Sequence, residues 1–239
     1  EKFNFNNGYV AFATQDYKSA KSYLSRVENS KKYGSQAKYY IGFMAYQSDD
    51  YDKANEYFDQ VSDEEKYKEK LSYYQADLHF KLGKFDKAIE LAKEQLPNSD
   101  RNEVSELNKI IGESYFNLEQ YAEAIPYLTE FKGRRGKWSN TDYYQLGYAF
   151  YKQKDFEKAI NEFNKIVDGN NGVAQNAYYH LGESYVSLDK KQEALNAFRN
   201  ASQMDYDLKI QEDAWLNYAK ISYEIGNPYQ SVPQVLAAY

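Results

Sequence analysis

Apolar and small side chains recur along the chain at steps of three and four residues. Tyr143, Leu146, Gly147 and Phe150 form one such set, and Ala159, Ile160, Phe163 and Ile166 the next. Tyr178, Leu181, Gly182 and Tyr185 follow, then Ala194, Leu195, Phe198 and Ala201. That spacing places each set on one face of an α-helix. Between consecutive sets lie short polar or glycine-bearing breaks: Gln15-Asp16, Ser48-Asp49-Asp50, Gly83-Lys84, Glu119-Gln120, Gln153-Lys154-Asp155, Asp189-Lys190 and Gly226-Asn227-Pro228. An aromatic residue follows most of them: Tyr17, Tyr51, Phe85, Tyr121 and Phe156, with Lys191 breaking the rule. No alternating strand pattern appears. The pattern predicts an all-α chain of short antiparallel helix pairs.

One arrangement returns seven times. A small residue is followed twelve positions later by a second small one: Gly8/Ala20, Gly42/Ala54, Ala76/Ala88, Gly112/Ala124, Gly147/Ala159, Gly182/Ala194 and Ala219/Ser231. Two helices joined by a tight turn approach closely only where side chains are small, and larger neighbours then interdigitate around them. A single pair cannot bury its apolar face alone, so the pairs must stack into one continuous core. The period of roughly 34–37 residues is that of a helical-repeat architecture.

Tyr143-x2-Leu146-Gly147-x2-Phe150 with Ala159-x3-Phe163, and Tyr178-x2-Leu181-Gly182-x2-Tyr185 with Ala194-x3-Phe198, resemble the tetratricopeptide repeat (TPR), with Tyr in place of the usual Trp. The early units depart from this pattern. Asn4, Lys38, Ser72 and Asn108 replace the leading Tyr, His79 replaces an aromatic, and Ala92 replaces the large residue of its second helix. The resemblance implies a right-handed α-solenoid forming one domain over 1–239, with repeats near 1–34, 35–68, 69–104, 105–139, 140–174, 175–211 and 212–239. The seventh repeat ends without a polar capping helix, and the first residue is Glu1 rather than Met. Both predict that the chain is a piece of a longer protein.

Capping residues mark the boundaries. Ser139 followed by Asp142 matches a capping box. Asp168-Gly169-Asn170-Asn171-Gly172 is expected to supply left-handed turn residues that end one helix, and Leu96-Pro97-Asn98-Ser99-Asp100 to do the same after the third unit.

In proteins of this kind the first helices line an inner groove, so the resemblance implies a binding surface three residues before and one after each small anchor. On this chain those positions are Phe5, Tyr9, Tyr39, Phe43, Tyr73, Asp77, Lys109, Glu113, Tyr144, Tyr148, Tyr179, Glu183, Leu216 and Lys220. Four after each anchor come Phe12, Tyr46, Phe80, Phe116, Tyr151, Val186 and Tyr223, expected to be half-buried between neighbours. Aromatic side chains serve both partner binding and inter-repeat packing, and the sequence leaves both roles open for each Tyr. The Lys, Asn and Arg constellation that some family members use to grip a C-terminal carboxylate does not assemble at these positions. The implied function is a protein–protein interaction scaffold that holds a peptide or helical segment of a partner. The alternatives are a structural spacer or self-association module of a larger envelope protein and, more distantly, an RNA-binding helical repeat.

Composition narrows the chemistry. The 239 residues include 27 Tyr and 13 Phe, and carry 30 Lys and Arg against 36 Asp and Glu, a net charge of −6 with a pI near 5.2. That balance repels a phosphate backbone, which argues against nucleic acid as a partner. The absence of cysteine removes disulfides, thiol catalysis and thiolate metal sites. The mean hydropathy is −0.89, and no apolar run reaches the roughly 18 residues of a membrane span. No nucleophile elbow, phosphate loop or histidine cluster appears, so neither an enzyme nor a bound cofactor or metal is expected. His79 reads as a helix-packing residue and His180 as a surface or groove residue. Lys132-Gly133-Arg134-Arg135-Gly136-Lys137-Trp138 reads first as a loop complementing a helix C-terminus, and second as an anion-binding tip on which Trp138 stacks against a partner. Asp63-Glu64-Glu65 is expected in the first turn of a helix. The Tyr-, Asn- and Lys-rich, Cys-free composition resembles bacterial solenoids of the periplasm or cell envelope.

Overall fold

Short aromatic-rich helices, most of them too short to be stable alone, fold against one another in adjacent pairs. The computed structural model describes residues 1–166 and 169–226, except for the side chain of Glu69. The chain divides into two compact units, Glu1–Ser114 and Tyr115–Tyr239. All regular structure among the described residues is helical, apart from one isolated bridge between Arg134 and Lys137.

The first unit holds α1 (Lys2–Ala13), α2 (Tyr17–Leu24), α3 (Gly34–Gln47), α4 (Tyr51–Asp59), α5 (Glu65–Lys81), α6 (Phe85–Gln95), a 3₁₀ turn (Leu96–Asn98) and most of α7 (Arg101–Asn117). Its core runs through Ala20, Leu24, Val27, Ala37, Ile41 and Met44, then through Ala54, Phe58, Val61, Tyr67, Leu71 and Leu78. The second unit begins within the last turn of α7. It continues with α8 (Tyr121–Glu130), α9 (Asn140–Lys152), α10 (Phe156–Phe163), α11 (Gly172–Ser187), α12 (Lys191–Ser202) and α13 (Leu208–Glu224). Ala159, Phe163, Ile166, Ala177 and Leu181 form one part of its core, and Ala194, Leu195, Phe198, Ala214 and Tyr218 the next. Within the units α1/α2, α3/α4, α5/α6, α9/α10 and α11/α12 pack as adjacent pairs, the all-α solenoid packing that the periodicity predicts.

Among the described residues each first helix ends the same way. The residue seven after the small anchor is left-handed: Gln15 (φ 61°), Asp49 (60°), Gly83 (70°), Glu119 (58°), Lys154 (62°), Asp189 (55°) and Gly226 (77°). In six of these turns the next N–H bonds back to the carbonyl three after the anchor, as Asp16 to Ala11 at 2.9 Å and Asp155 to Phe150 at 3.0 Å. This is a Schellman-type closure. The donor residue then opens the second helix. Where it is Asp, as at Asp16, Asp50 and Asp155, its side chain accepts from the N–H three residues on.

The glycine anchors make room for a ring or a leucine. A Cβ built on Gly42 would lie 2.7 Å from Phe58, on Gly147 2.8 Å from Phe163, on Gly182 2.7 Å from Phe198, and on Gly8 2.6 Å from Leu24. In every case the neighbour stands four residues after the paired Ala20, Ala54, Ala159 or Ala194. The third pair is complementary: Ala76 carries the methyl that the glycines lack, and the residue in the same register opposite is the small Ala92. Both are fully buried.

Ser139 and Asp142 form the expected capping box. Glu65 opens α5, with Asp63 and Glu64 just ahead of it. Two expectations change. Gly169–Gly172 contains no left-handed residue; instead Asn171 caps α11 by accepting from the Ala174 N–H at 3.0 Å. Leu96–Asn98 forms a 3₁₀ turn rather than a left-handed stop, and Asp100 caps α7 through the Asn102 and Glu103 N–H groups. Asp168, Ser231 and the Asn227-Pro228 turn lie outside the described residues.

Candidate functional site

The first helices of the repeats are α1, α3, α5, α7, α9, α11 and α13, and they carry the residues that the sequence singles out. In the first unit these rings pack on one another from repeat to repeat. Phe5 stacks on Tyr33 with centroids 4.7 Å apart, Tyr39 on Tyr67 at 5.2 Å, and Phe43 meets Tyr74 edge-on at 5.3 Å. Tyr9 contacts Tyr40 at 5.5 Å and remains about half exposed. Tyr73 is half-buried. Burial first, and the Asp77 carboxylate second, push its hydroxyl up to about 12. Lys109 and Glu113 lie one turn apart on α7, 3.8 Å from each other.

In the second unit the corresponding residues converge. Tyr144 stacks on Tyr148 at 5.9 Å. The His180 ring lies 5.0 Å from both Tyr148 and Tyr151 and 6.1 Å from Tyr144. Its Nδ1 is 2.9 Å from Glu183. The Tyr151 and Tyr179 hydroxyls lie close enough to Glu183 to feel its charge. Burial, reinforced by that carboxylate, pushes the Tyr179 hydroxyl up to about 12 and the Tyr151 hydroxyl higher still. Glu183 is thus a partly exposed carboxylate held by His180 and set beside tyrosines of two successive first helices.

Two rules describe the contacts. The residue four after one anchor meets the residue one after the next: Phe12 meets Phe43, Phe116 meets Tyr148, Tyr46 meets Asp77, and Tyr151 meets Glu183. The second rule concerns the residue two before an anchor, which the sequence pattern does not single out. Tyr40, Tyr74 and His180 wedge against the rings of the preceding repeat, Tyr40 on Phe12, Tyr74 on Tyr46, and His180 on Tyr151. A signal is nonetheless present, since all three positions hold rings in the same register. His180 is therefore an inter-repeat wedge rather than a free surface group.

The anchors Gly8, Ala20, Gly42, Ala54, Ala76, Ala88, Gly112, Ala124, Gly147, Ala159, Gly182 and Ala194 are all buried, whereas Ala219 is half-buried. Trp138 is committed within its own unit: its Nε1 donates to the Phe131 carbonyl at 2.8 Å, and its ring lies 5.1 Å from Tyr143. It does not form a stacking tip. Gly133 and Gly136 close the basic loop in left-handed conformations, with the Gly136 N–H donating to the Gly133 carbonyl at 3.2 Å. Among the described residues no group of three or more His, Asp or Glu is placed to hold a metal ion, and no helix is long and apolar enough to cross a membrane.

Comparison with known proteins agrees with this architecture. A solved structure of MamA, described as MamA AMB-1, superposes with a TM-score of 0.63 at 20% identity, over 72% of this chain and 91% of that one. YrrB, described as a TPR protein with an unusual peptide-binding site, superposes with a TM-score of 0.65 at 16% identity, over 80% and 96%. At such identities the likeness is one of fold. No curated protein matches the chain. The profile of one family matches residues 47–131 and 134–201, well over half of the chain and most of the repeats described above. With repeat spacing, turn geometry and ring packing all in register, the chain belongs to that family of TPR proteins, described as anaphase-promoting complex, cyclosome, subunit 3.

Proposed function

We propose that this chain is a protein-interaction scaffold that binds a peptide or helical segment of a partner on the faces of its first helices. The observation that carries this reading is the cluster on α9 and α11. Tyr144, Tyr148 and Tyr179 are held by ring contacts with one another and with His180, Glu183 is held by His180, and all four remain partly exposed. Rigid amphipathic rings lose little conformational entropy on binding, and a fixed carboxylate adds directional recognition. In the first unit, Phe5, Tyr9, Tyr39, Phe43, Tyr73, Lys109 and Glu113 would make the equivalent contacts. Structural neighbours include YrrB, which is described as having a peptide-binding site. A displayed peptide library selected on the whole chain tests this. Selected peptides should lose at least tenfold in affinity to Tyr148→Ala and Glu183→Gln variants that melt as cooperatively as the parent. Unchanged affinity in both would remove this face from consideration.

A second reading, self-association, rests on apolar side chains left open on α1 and α13: Phe3 is 71% exposed and Leu216 64%. Concentration-dependent sedimentation that Phe3→Ser or Leu216→Ser reverses would support it.

A further inference from the structure

A cleft of about 790 Å³ opens in the first unit between α4 and α6, with α5 as its floor. Its origin is legible in the repeat register. On α9 the residues four before, one before and three after the anchor are Tyr143, Leu146 and Phe150, and on α11 they are Tyr178, Leu181 and Tyr185. Those six side chains pack into apolar cores. On α5 the same three positions are Ser72, Gln75 and His79, all of which line the cleft. The stripe that seals one repeat onto the previous one is here short and polar. The comparable hollow one repeat earlier is floored by Ile41, Met44 and Ala45 and measures about 250 Å³, roughly a third of the size.

The walls are acidic. Asp59, Asp63, Glu65 and Glu94 face Lys68 and Lys87. Lys87 is bonded to Glu90 at 2.8 Å, outside the lining, which leaves the carboxylates in excess. On the floor, His79 Nδ1 is buried without a hydrogen-bond partner. A buried polar atom left unpaired is costly, which marks this floor as less completely packed than the apolar floors of the later repeats. Burial first, and the nearby Lys84 ammonium second, hold the His79 imidazole below its usual pKa, so it stays neutral at pH 7. In the Nε2–H tautomer, its Nδ1 is an acceptor.

We propose that this cleft is a second binding site, distinct from the tyrosine face, and that its occupant is a partner peptide segment bearing arginine or lysine. The carboxylate walls meet the cationic head groups, while the hydroxyl and amide floor accepts their N–H donors. Guanidinium suits such a site best, because its planar fork pairs with carboxylates in two-point contacts. Phosphate-bearing ligands are repelled by the same walls, and an apolar ligand finds no apolar floor.

The test uses the whole chain and two probes: acetyl-Arg-Gly-Arg-Gly-Arg-amide, and the same peptide with citrulline in place of arginine. Titration followed by amide NMR should show saturable shifts at Ser72, Gln75 and His79 with the arginine peptide, and at least tenfold weaker binding with citrulline. The Asp59→Asn, Asp63→Asn, Glu94→Gln variant should lose at least tenfold in affinity for the arginine peptide while keeping its helical signal. The Ser72→Tyr, Gln75→Leu, His79→Phe variant restores the sealed stripe of the later repeats and should abolish the shifts. The Tyr148→Ala variant should bind this probe normally, which separates failure here from failure of the tyrosine face. No saturable binding, equal binding of the citrulline peptide, or undiminished binding to the charge variant would overturn the proposal.

Discussion

The Tyr46 hydroxyl donates a hydrogen bond to the Asp77 carboxylate, joining the first helix of the second repeat to the first helix of the third. Asp77 also lies 3.5 Å from the Lys81 ammonium, which sits over the Tyr46 ring at 5.8 Å and the Tyr51 ring at 5.2 Å. The arrangement is a closed circuit of ring, carboxylate and cation. Tyr151 and Glu183 occupy the same two register positions in the second unit, where the carboxylate adds to burial in raising the Tyr151 hydroxyl. Such a clasp ties neighbouring repeats at a fixed register, because the donor and acceptor reach each other only when the two helices are correctly offset.

Tyr46→Phe keeps the ring and removes only the hydroxyl. The half-buried Asp77 then loses one donor, and a cost of about 1.5–3 kcal/mol is expected for a hydrogen bond to a charged acceptor. Tyr51→Phe removes a hydroxyl bonded to the exposed Asp49 and should change little. Urea midpoints of the two variants check this, and equal effects would argue against the clasp.

Alkaline pH should unfold the chain through its tyrosines. Burial, aided by nearby carboxylates, raises the Tyr57, Tyr67, Tyr73 and Tyr179 hydroxyls to about 12, and Tyr46, Tyr144 and Tyr151 beyond that. The ordinary value is 10.0. Folding therefore favours the protonated forms. Their contribution is complete below pH 10 and is lost as pH rises through the folded values, since the native state holds more protons than the unfolded one. Melting temperatures should be flat from about pH 8 to 9.5 and then fall steeply toward pH 12, with tyrosinate absorbance at 295 nm rising together with unfolding. Early, non-cooperative tyrosinate formation would contradict the burial of these rings.

The left-handed turn positions offer a stabilising change. Gln15, Glu119 and Lys154 adopt φ near 60° with side chains that disfavour it, whereas Gly83 occupies the same place at 70°, with nothing within 4 Å of where a Cβ would stand. Replacing each of the three by Gly relieves the strain of a Cβ in this region at the cost of extra chain entropy, a net gain of about 0.5–1 kcal/mol. Gly83→Ala should lose about 1 kcal/mol for the reverse reason. Thermal melts of the single variants test the sign.

The repeat is legible in the sequence because it depends on local rules: small anchors, αL turns and capping residues each leave a mark at a fixed place. The anchors alone locate the left-handed residue that ends each first helix, from Gln15 to Gly226. The inter-repeat chemistry is harder to read. Whether Tyr148 faces a partner or packs on Phe116 and His180 depends on the offset between helices some thirty residues apart, which periodicity does not encode. The wedge at Tyr40, Tyr74 and His180 escapes the pattern for a related reason. Those residues sit beside the apolar stripe, and only the crossing of neighbouring repeats brings them inside. Trp138 in turn resembles an exposed tip because its anchoring acceptor, the Phe131 carbonyl, is a backbone atom that no side-chain pattern reveals.

Gly147 offers the most direct check of the packing. A Cβ there would meet the Phe163 ring at 2.8 and 2.9 Å and the Glu162 Cβ at 3.2 Å. Phe163 is fully buried and cannot swing aside without opening the core around Ala159 and Ile166. Gly→Ala inside a helix ordinarily stabilises by close to 1 kcal/mol through propensity. Here the clash outweighs that gain, so Gly147→Ala should destabilise, and Gly147→Leu should cost about 2–3 kcal/mol by overpacking. A compensating Phe163→Ala in the Gly147→Ala background rebuilds the Ala76 and Ala92 pairing of the third repeat and should recover part of the loss relative to Phe163→Ala alone. Denaturation curves for the four proteins form a double-mutant cycle, and purely additive effects would show that the two side chains do not share the space that the structure assigns them.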